Sequence, residues 1–314
     1  MNIAFSSTKQ WNPGDELILQ GVRNLLGKHT FIMFNRHPHI THINKDPWSP
    51  LNRTGDNSYY AGMGDDIIDY VVFAGSPEYH TFFNNDLYKL IQEKNIPFSY
   101  IGVGGFPHYP NRPYDKADIA IVRDSLAGNI INSIVAPCPS IYSVKELNIK
   151  PRTEKKKVAF CFQSGIEYIC SPKASVHKSS IEFIEKYKPK VCCHSYPDYV
   201  EACQRGWDAF YSADMKDYFK FYSQFDIIVG TRIHGAGWGA NYGIPSITMA
   251  HDERVETAHN FGSVTCHHSE VGDIFENFNV EENSSKIIEI RKEWFPRYIE
   301  KLEPIFGKPD GWNI

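Results

Sequence analysis

What most constrains this chain is an alternation in which short runs of β-branched and aromatic residues are separated by stretches with helical spacing. Strands alternating with helices build βαβ units and parallel sheets, because a parallel connection needs a long crossover. In the first half the strand runs are Ile3 to Ser6, Phe31 to Phe34, Tyr70 to Ala74, Phe98 to Gly102 and Ile119 to Val122. Between the first two, Ile18, Val22, Leu25 and Leu26 share one face of a helix that opens at Gly14-Asp15. The second half repeats the pattern at Val158 to Phe162, Val191 to Cys193, Ala209 to Tyr211, Ile227 to Val229 and Ser246 to Met249. A charged, apolar-poor stretch from Glu146 to Lys157 separates the halves. The expected organisation is therefore α/β, with two Rossmann-like domains over residues 1–150 and 151–314. Lys150 to Lys157 reads as an exposed linker, Arg36 to Gly64 as a long polar loop, and Ser284 to Leu302 as a last helix that packs back across both domains.

Several function classes fall away on composition. With a net charge of −4, the molecule lacks the basic field by which nucleic-acid binders release counterions. No apolar run approaches the roughly 20 residues that span a bilayer, and the start Met1 to Lys9 reads as a first strand rather than a signal peptide. The expected compartment is the cytoplasm, with peripheral membrane contact left open. Seven cysteines without C-x-x-C spacing point to reduced thiols rather than a disulfide framework or zinc ribbon. No metal or cofactor is expected, and Cys266-His267-His268 reads as a surface turn.

The richest segment runs from Asp226 to Pro245: a strand ends at Gly230, a polar turn carries Arg232 and His234, and a small-residue helix stops at Gly243. Ligands of open α/β sheets sit at such strand-to-helix edges, where free amides favour an anion that Arg232 and His234 would bind further. The glycines and alanines of that helix equally suit plain close packing against a sheet. A second edge, Ile119 to Ser125, offers Arg123 to a ligand and Asp124 as a helix cap, or else a simple surface pair. A third, Trp11 to Glu16, puts Asn12, Asp15 and Glu16 at a helix start, where carboxylates also merely complement the helix dipole. Gly102-Val103-Gly104-Gly105-Phe106-Pro107 fails as a dinucleotide motif, because Pro107 stands at the third glycine and no helix opens among Pro107, Pro110 and Pro113. Gly75-Ser76-Pro77 is not a nucleophile elbow.

Together these edges resemble the polysaccharide pyruvyl transferase family, whose members form ketals on bacterial cell-wall and exopolysaccharide glycans. Trp11 to Leu26 resembles its N-G-D start, Ala117 to Ser125 its R-D segment, and Asp226 to Pro245, with the sequel to Glu256, its R-x-H-G segment. The resemblance implies a GT-B-like fold, two Rossmann-like domains facing a cleft, with the first on the acceptor side and the second on the donor side. It also implies phosphoenolpyruvate as donor substrate, bound by Arg123, His234 and Arg254. Arg254 stands where the family commonly has lysine, and Ala74 to Pro77 departs from a more glycine-rich turn. The acceptor would be a sugar of a surface polysaccharide or of its lipid-linked precursor.

A donor with a carboxylate and a phosphate needs two anion sites, which Arg123, Arg232 and Arg254 can supply as guanidinium forks. His234, ionising near neutrality by type, is the candidate for proton transfer, and Asp15 the candidate base, with Glu16 in reserve and Asn12 as a further substrate contact. The rivals are a GT-B nucleotide-sugar glycosyltransferase, with Glu253 or Glu256 on a ribose, and a non-catalytic glycan-binding relative.

Overall fold

In the computed structural model, which describes residues 1–7, 12–35, 68–75, 85–105, 114–130, 133–164 and 174–313, the chain divides into two compact units. Unit 1 comprises Met1–Lys145 and Trp294–Trp312, and unit 2 comprises Glu146–Glu293 with the chain end from Asn313. The loop expected over Arg36 to Gly64, together with Trp11, Ser76, Pro77, Pro107, Pro110 and Pro113, lies outside the described residues.

Unit 1 is built on β1 (Asn2–Ser7), β2 (Thr30–Asn35), β3 (Tyr70–Ala74), β4 (Phe98–Val103), β5 (Ala120–Val122) and β6 (Ile134–Val135). Its helices are α1 (Pro13–Leu25), α2 (Asn85–Lys94) and α3 (Ser125–Ile130). The strands form one parallel sheet in the order β2-β1-β3-β4-β5-β6. Every residue of β3 and β4 is buried, the pattern of parallel strands covered on both faces. Polar atoms inside that core are paired: Tyr70 Oη lies 2.6 Å from Ser99 Oγ, and Tyr88 Oη 2.6 Å from Tyr100 Oη. The predicted apolar face of α1 is buried, and Asn24 donates from Nδ2 to the carbonyls of Tyr142 and Ser143, both at 2.9 Å. A β-carbon on Gly21 would stand 1.9 Å from the Pro139 carbonyl oxygen, so only glycine lets the helix lie this close.

Unit 2 follows with β7 (Val158–Phe162), α4 (Ala174–Tyr187), β8 (Lys190–Cys193), α5 (Tyr196–Gln204), β9 (Ala209–Phe210), α6 (Met215–Tyr222) and β10 (Ile227–Gly230). It continues with α7 (Ile233–Ala240), β11 (Ser246–Met249), α8 (Val255–Asn260), β12 (Val264–Cys266) and α9 (Val271–Glu276). Its sheet is also parallel, ordered β12-β11-β10-β7-β8-β9. Phe160, Phe162, Val191, Val229, Ile247 and Met249 fill one side of its core. Among the described cysteines, Cys161, Cys192 and Cys193 are buried and Cys203 is exposed.

In each sheet the chain order reverses once, between β1 and β3 in unit 1 and between β7 and β10 in unit 2. These switch points, at the carboxyl ends of the strands, are where ligand crevices open in folds of this kind.

Two expectations change in detail. The final helix, α10 (Val280–Phe306), is longer at both ends than Ser284 to Leu302. Asn279 accepts from the Glu282 amide at its start, Gly307 ends it at φ 71°, and its residues pass from unit 2 to unit 1 after Glu293. The stretch Lys150 to Lys157 has no regular structure, yet its backbone is fastened within unit 2. The Lys156 and Lys157 amides donate to Asp226 Oδ2 at 3.0 and 2.9 Å, and the Arg152 amide to Ser284 Oγ at 2.8 Å. Half-buried Asp226 and buried Ser284 thus hold a stretch whose side chains mostly face water.

Candidate functional site

In unit 2 the site residues stand on three adjacent strand ends. Gly230 closes β10, where a β-carbon would meet the Cys161 carbonyl oxygen at 2.3 Å, and the turn Thr231-Arg232 leads into α7. On that helix a β-carbon at Gly235 would lie 2.6 Å from Cys161 Cβ, so the small-residue helix does lie tight on β7. Arg232 is its N-cap residue, without a side-chain cap bond, and half-buried His234 is its second residue.

Arg232 is held by a partner that sequence reasoning missed. Its Nη2 donates to Asp198 Oδ2 at 2.6 Å, and Asp198 is fully buried. The other carboxylate oxygen accepts the Ser164 amide at 2.7 Å, so one side chain ties the end of β10 to the end of β7. Asp198 is itself fixed in the first turn of α5, where Ser195 Oγ accepts its amide at 3.3 Å. The signal in the sequence was Ser195-Tyr196-Pro197-Asp198, an N-cap followed by proline and an acid.

His194, one residue past β8, is also new. Burial pushes its ionisation well below the ordinary histidine range, and the charges of Arg232 and His234 push it further the same way. It is therefore a neutral imidazole. Its Nε2 lies 2.9 Å from Tyr222 Oη, whose hydroxyl donates to Cys161 Sγ at 3.2 Å, and burial raises that thiol to about 12.

Beyond β11 comes a second charged group. Arg254 donates from Nε to Asp252 Oδ1 at 2.9 Å and Oδ2 at 3.0 Å, and Nη2 also bonds Asp252. His251 Nε2 lies 3.3 Å from the same carboxylate. Burial alone would raise the Asp252 carboxyl, but the bonds and charge of Arg254, with the charge of His251, hold it below the usual range. The two candidate arginines of unit 2, Arg232 and Arg254, are thus each oriented by a buried or half-buried aspartate, at the ends of neighbouring strands.

In unit 1, Asn12 Oδ1 caps α1 by accepting the Gly14 amide at 3.0 Å, and Pro13 opens the helix. Asp15 is buried and Glu16 half-buried in its first turn, beside the switch point. Arg123 follows β5, three strand spacings or about 14 Å from β1, so within this sheet it is not a neighbour of Asp15. Asp124 caps α3, accepting from Ala127 at 2.8 Å and Gly105 at 3.0 Å. A β-carbon on Gly104 would lie 2.4 Å from Arg123 Nε. Gly104, one of the glycines that failed as a dinucleotide motif, therefore makes room for buried Arg123.

Among the described residues, no group of three or more His, Cys, Asp or Glu is placed to hold a metal. His267 instead caps the short turn His268–Glu270, and His268 Nδ1 lies 2.9 Å from Ser179 Oγ. No described helix is long and apolar enough to cross a membrane.

Two parallel six-stranded sheets, each reversing order once and carrying polar helix starts at its strand ends, define an α/β chain of the GT-B-like class. Solved structures share this fold at low identity. Anabaena Alr3699/HepE in complex with UDP-glucose is 9% identical, with a TM-score of 0.58 over 97% of this chain and 98% of that one. A putative UDP-N-acetylglucosamine 2-epimerase from Listeria monocytogenes is 10% identical, with a TM-score of 0.56 over 100% and 99%. MnaA of S. aureus, solved with UDP, is 14% identical, with a TM-score of 0.54 over 99% and 93%. No curated protein matches the sequence. The chain belongs to the polysaccharide pyruvyl transferase family, whose model matches residues 12–253.

Proposed function

We propose that this protein transfers a pyruvyl group from phosphoenolpyruvate to two hydroxyls of one sugar in a surface polysaccharide or its lipid-linked precursor. One sugar hydroxyl adds to C2 of the enol while C3 gains a proton, and the second hydroxyl then displaces phosphate at C2, closing a ketal. Atoms balance without an oxidant or reductant, so the demands on the protein are anion binding and proton transfer.

The observation that carries this reading is Arg232, aimed by buried Asp198 at the start of α7, with His234 two residues on. A guanidinium, uncapped helix amides and a half-buried imidazole at one strand end suit a phosphate that must leave, with His234 supplying its proton. Arg254 and Arg123 are assigned to the donor's anionic groups, and Asp15, supported by Asn12 and Glu16, to the acceptor hydroxyl. Family membership supports the transferase class. In this reading the protein acts in the cytoplasm, where phosphoenolpyruvate is made, and needs no resident cofactor.

Because structures of this fold have been solved with UDP or UDP-glucose, a nucleotide sugar is the rival ligand. Phosphoenolpyruvate at a hundred times its dissociation constant should stabilise the folded protein by about 2.7 kcal/mol, read as a rise in melting temperature. UDP-glucose or UDP-N-acetylglucosamine at equal concentration should not. A larger rise with either nucleotide sugar would overturn the donor assignment.

A further inference from the structure

Two buried hydroxyls stand at the strand ends beside Arg232, one in its own turn and one just past β7. Thr231 and Ser164 are both fully buried, and among the described residues neither Thr231 Oγ1 nor Ser164 Oγ has a hydrogen-bond partner. Buried hydroxyls in folded proteins are nearly always paired, so two on adjoining strand ends need a cause. Their positions supply one. Gly230 pairs with Cys161, which puts Thr231 level with Phe162 and two residues short of Ser164, on strands about 4.8 Å apart. These strands, β7 and β10, form the switch point of unit 2. Asp198 joins the two ends, taking the Ser164 amide on one oxygen and Arg232 on the other, so its negative charge is already matched. The first amides of α7 begin at the same turn with no side chain capping them.

We propose that Ser164 and Thr231 are the uncharged donors of an oxyanion subsite whose charged member is Arg232, and that this subsite takes the phosphate group of the substrate. A tetrahedral phosphate offers more acceptor positions than a guanidinium can fill, and two hydroxyl donors beside the fork meet that need. The choice of phosphate rests on the donor reading above; the existence of an oxyanion subsite does not. Ser164 and Thr231 are binding residues here, and proton transfer stays with His234.

The test uses inorganic phosphate as the probe and the variants Ser164→Ala and Thr231→Val in the full chain. Wild type should bind phosphate in a calorimetric titration, and each variant should bind it about tenfold or more weakly, the loss of one hydrogen bond to a charged group. Because each substitution removes a hydroxyl that has no partner among the described residues, melting temperature without ligand should hold or rise. A structural role would do the opposite. Phosphate affinity within about twofold of wild type in both variants, or a wild type that binds phosphoenolpyruvate but takes no phosphate, overturns the subsite. If the variants lose phosphate as expected while phosphoenolpyruvate binds wild type no better than phosphate does, the subsite stands and the donor reading falls.

Discussion

The pairing of Arg232 with Asp198 makes a prediction that can be worked from its geometry. Asp198 is fully buried and Arg232 has 14% of its side chain exposed, with 2.6 Å between the bonded atoms. Replacing Asp198 by Ala takes its carboxylate from a guanidinium largely out of water and strips the Ser164 amide of its acceptor. Breaking one side of a buried ion pair costs about 3–5 kcal/mol, and the orphaned amide makes the lower end unattainable. Asp198→Asn keeps an oxygen for Ser164 and should lose less. The decisive measurement is a double-mutant cycle with Arg232→Met, followed by urea unfolding of the unit 2 transition. A charge-assisted bond in this setting should give a coupling of about 1.5–3 kcal/mol. The coupling should persist in 1 M salt, because screening reaches exposed charges far more than buried ones. A coupling below about 0.5 kcal/mol would show that the contact does not hold the arginine, and the site argued from it would lose its anchor.

Other outcomes follow from single groups. His234→Asn should lower turnover by about 10²–10⁴ with donor affinity little changed, checked by phosphate release against phosphoenolpyruvate titrations. Arg254→Ala should raise the Michaelis constant for phosphoenolpyruvate, whereas Arg254→Lys should retain charge but lose the fork that Asp252 now engages, giving an intermediate value. His194 is held neutral in the fold, so the unfolded chain binds the extra proton and stability should fall as pH drops below about 6.5, by at most about 1.4 kcal/mol per pH unit; unfolding curves of His194→Gln should lack that part. Asp252 has the opposite charge type and a lowered value. Its contribution should be fully present above about pH 4 and lost as pH falls through its folded value, which Asp252→Asn should show as a stability gap that closes in acid.

The strands were legible because a parallel strand covered on both faces is a continuous apolar run, and β3, β7 and β11 begin and end where those runs do. Ile134–Val135 and Val264–Cys266 were not, although the equally short Ala209–Phe210 and Ala120–Val122 were, so length alone does not decide which short strands show. Arg232 and His234 were found from strand, turn and small-residue helix in one continuous segment. Asp198 was not found as Arg232's partner, because the two stand 34 residues apart and only the β7 to β10 neighbourhood brings them together. The same holds for Gly104, whose lack of a side chain has meaning only once Arg123 lies against it. Lys150 to Lys157 shows a related limit: composition reports where side chains point, and the backbone bonds to Asp226 and Ser284 leave no trace in it.

The distribution of the described thiols in unit 2 offers a built-in reporter. Burial raises the thiols of Cys161, Cys192 and Cys193 above the range where thiolate forms, so alkylating reagents have neither access nor a nucleophile there. Cys203 is exposed on α5, the helix whose first turn carries Asp198, five residues and about 7.5 Å of rise away. A fluorophore attached at Cys203 therefore rides on the element that aims Arg232, and a change in its emission on adding a ligand would register movement of that helix without any engineered attachment point.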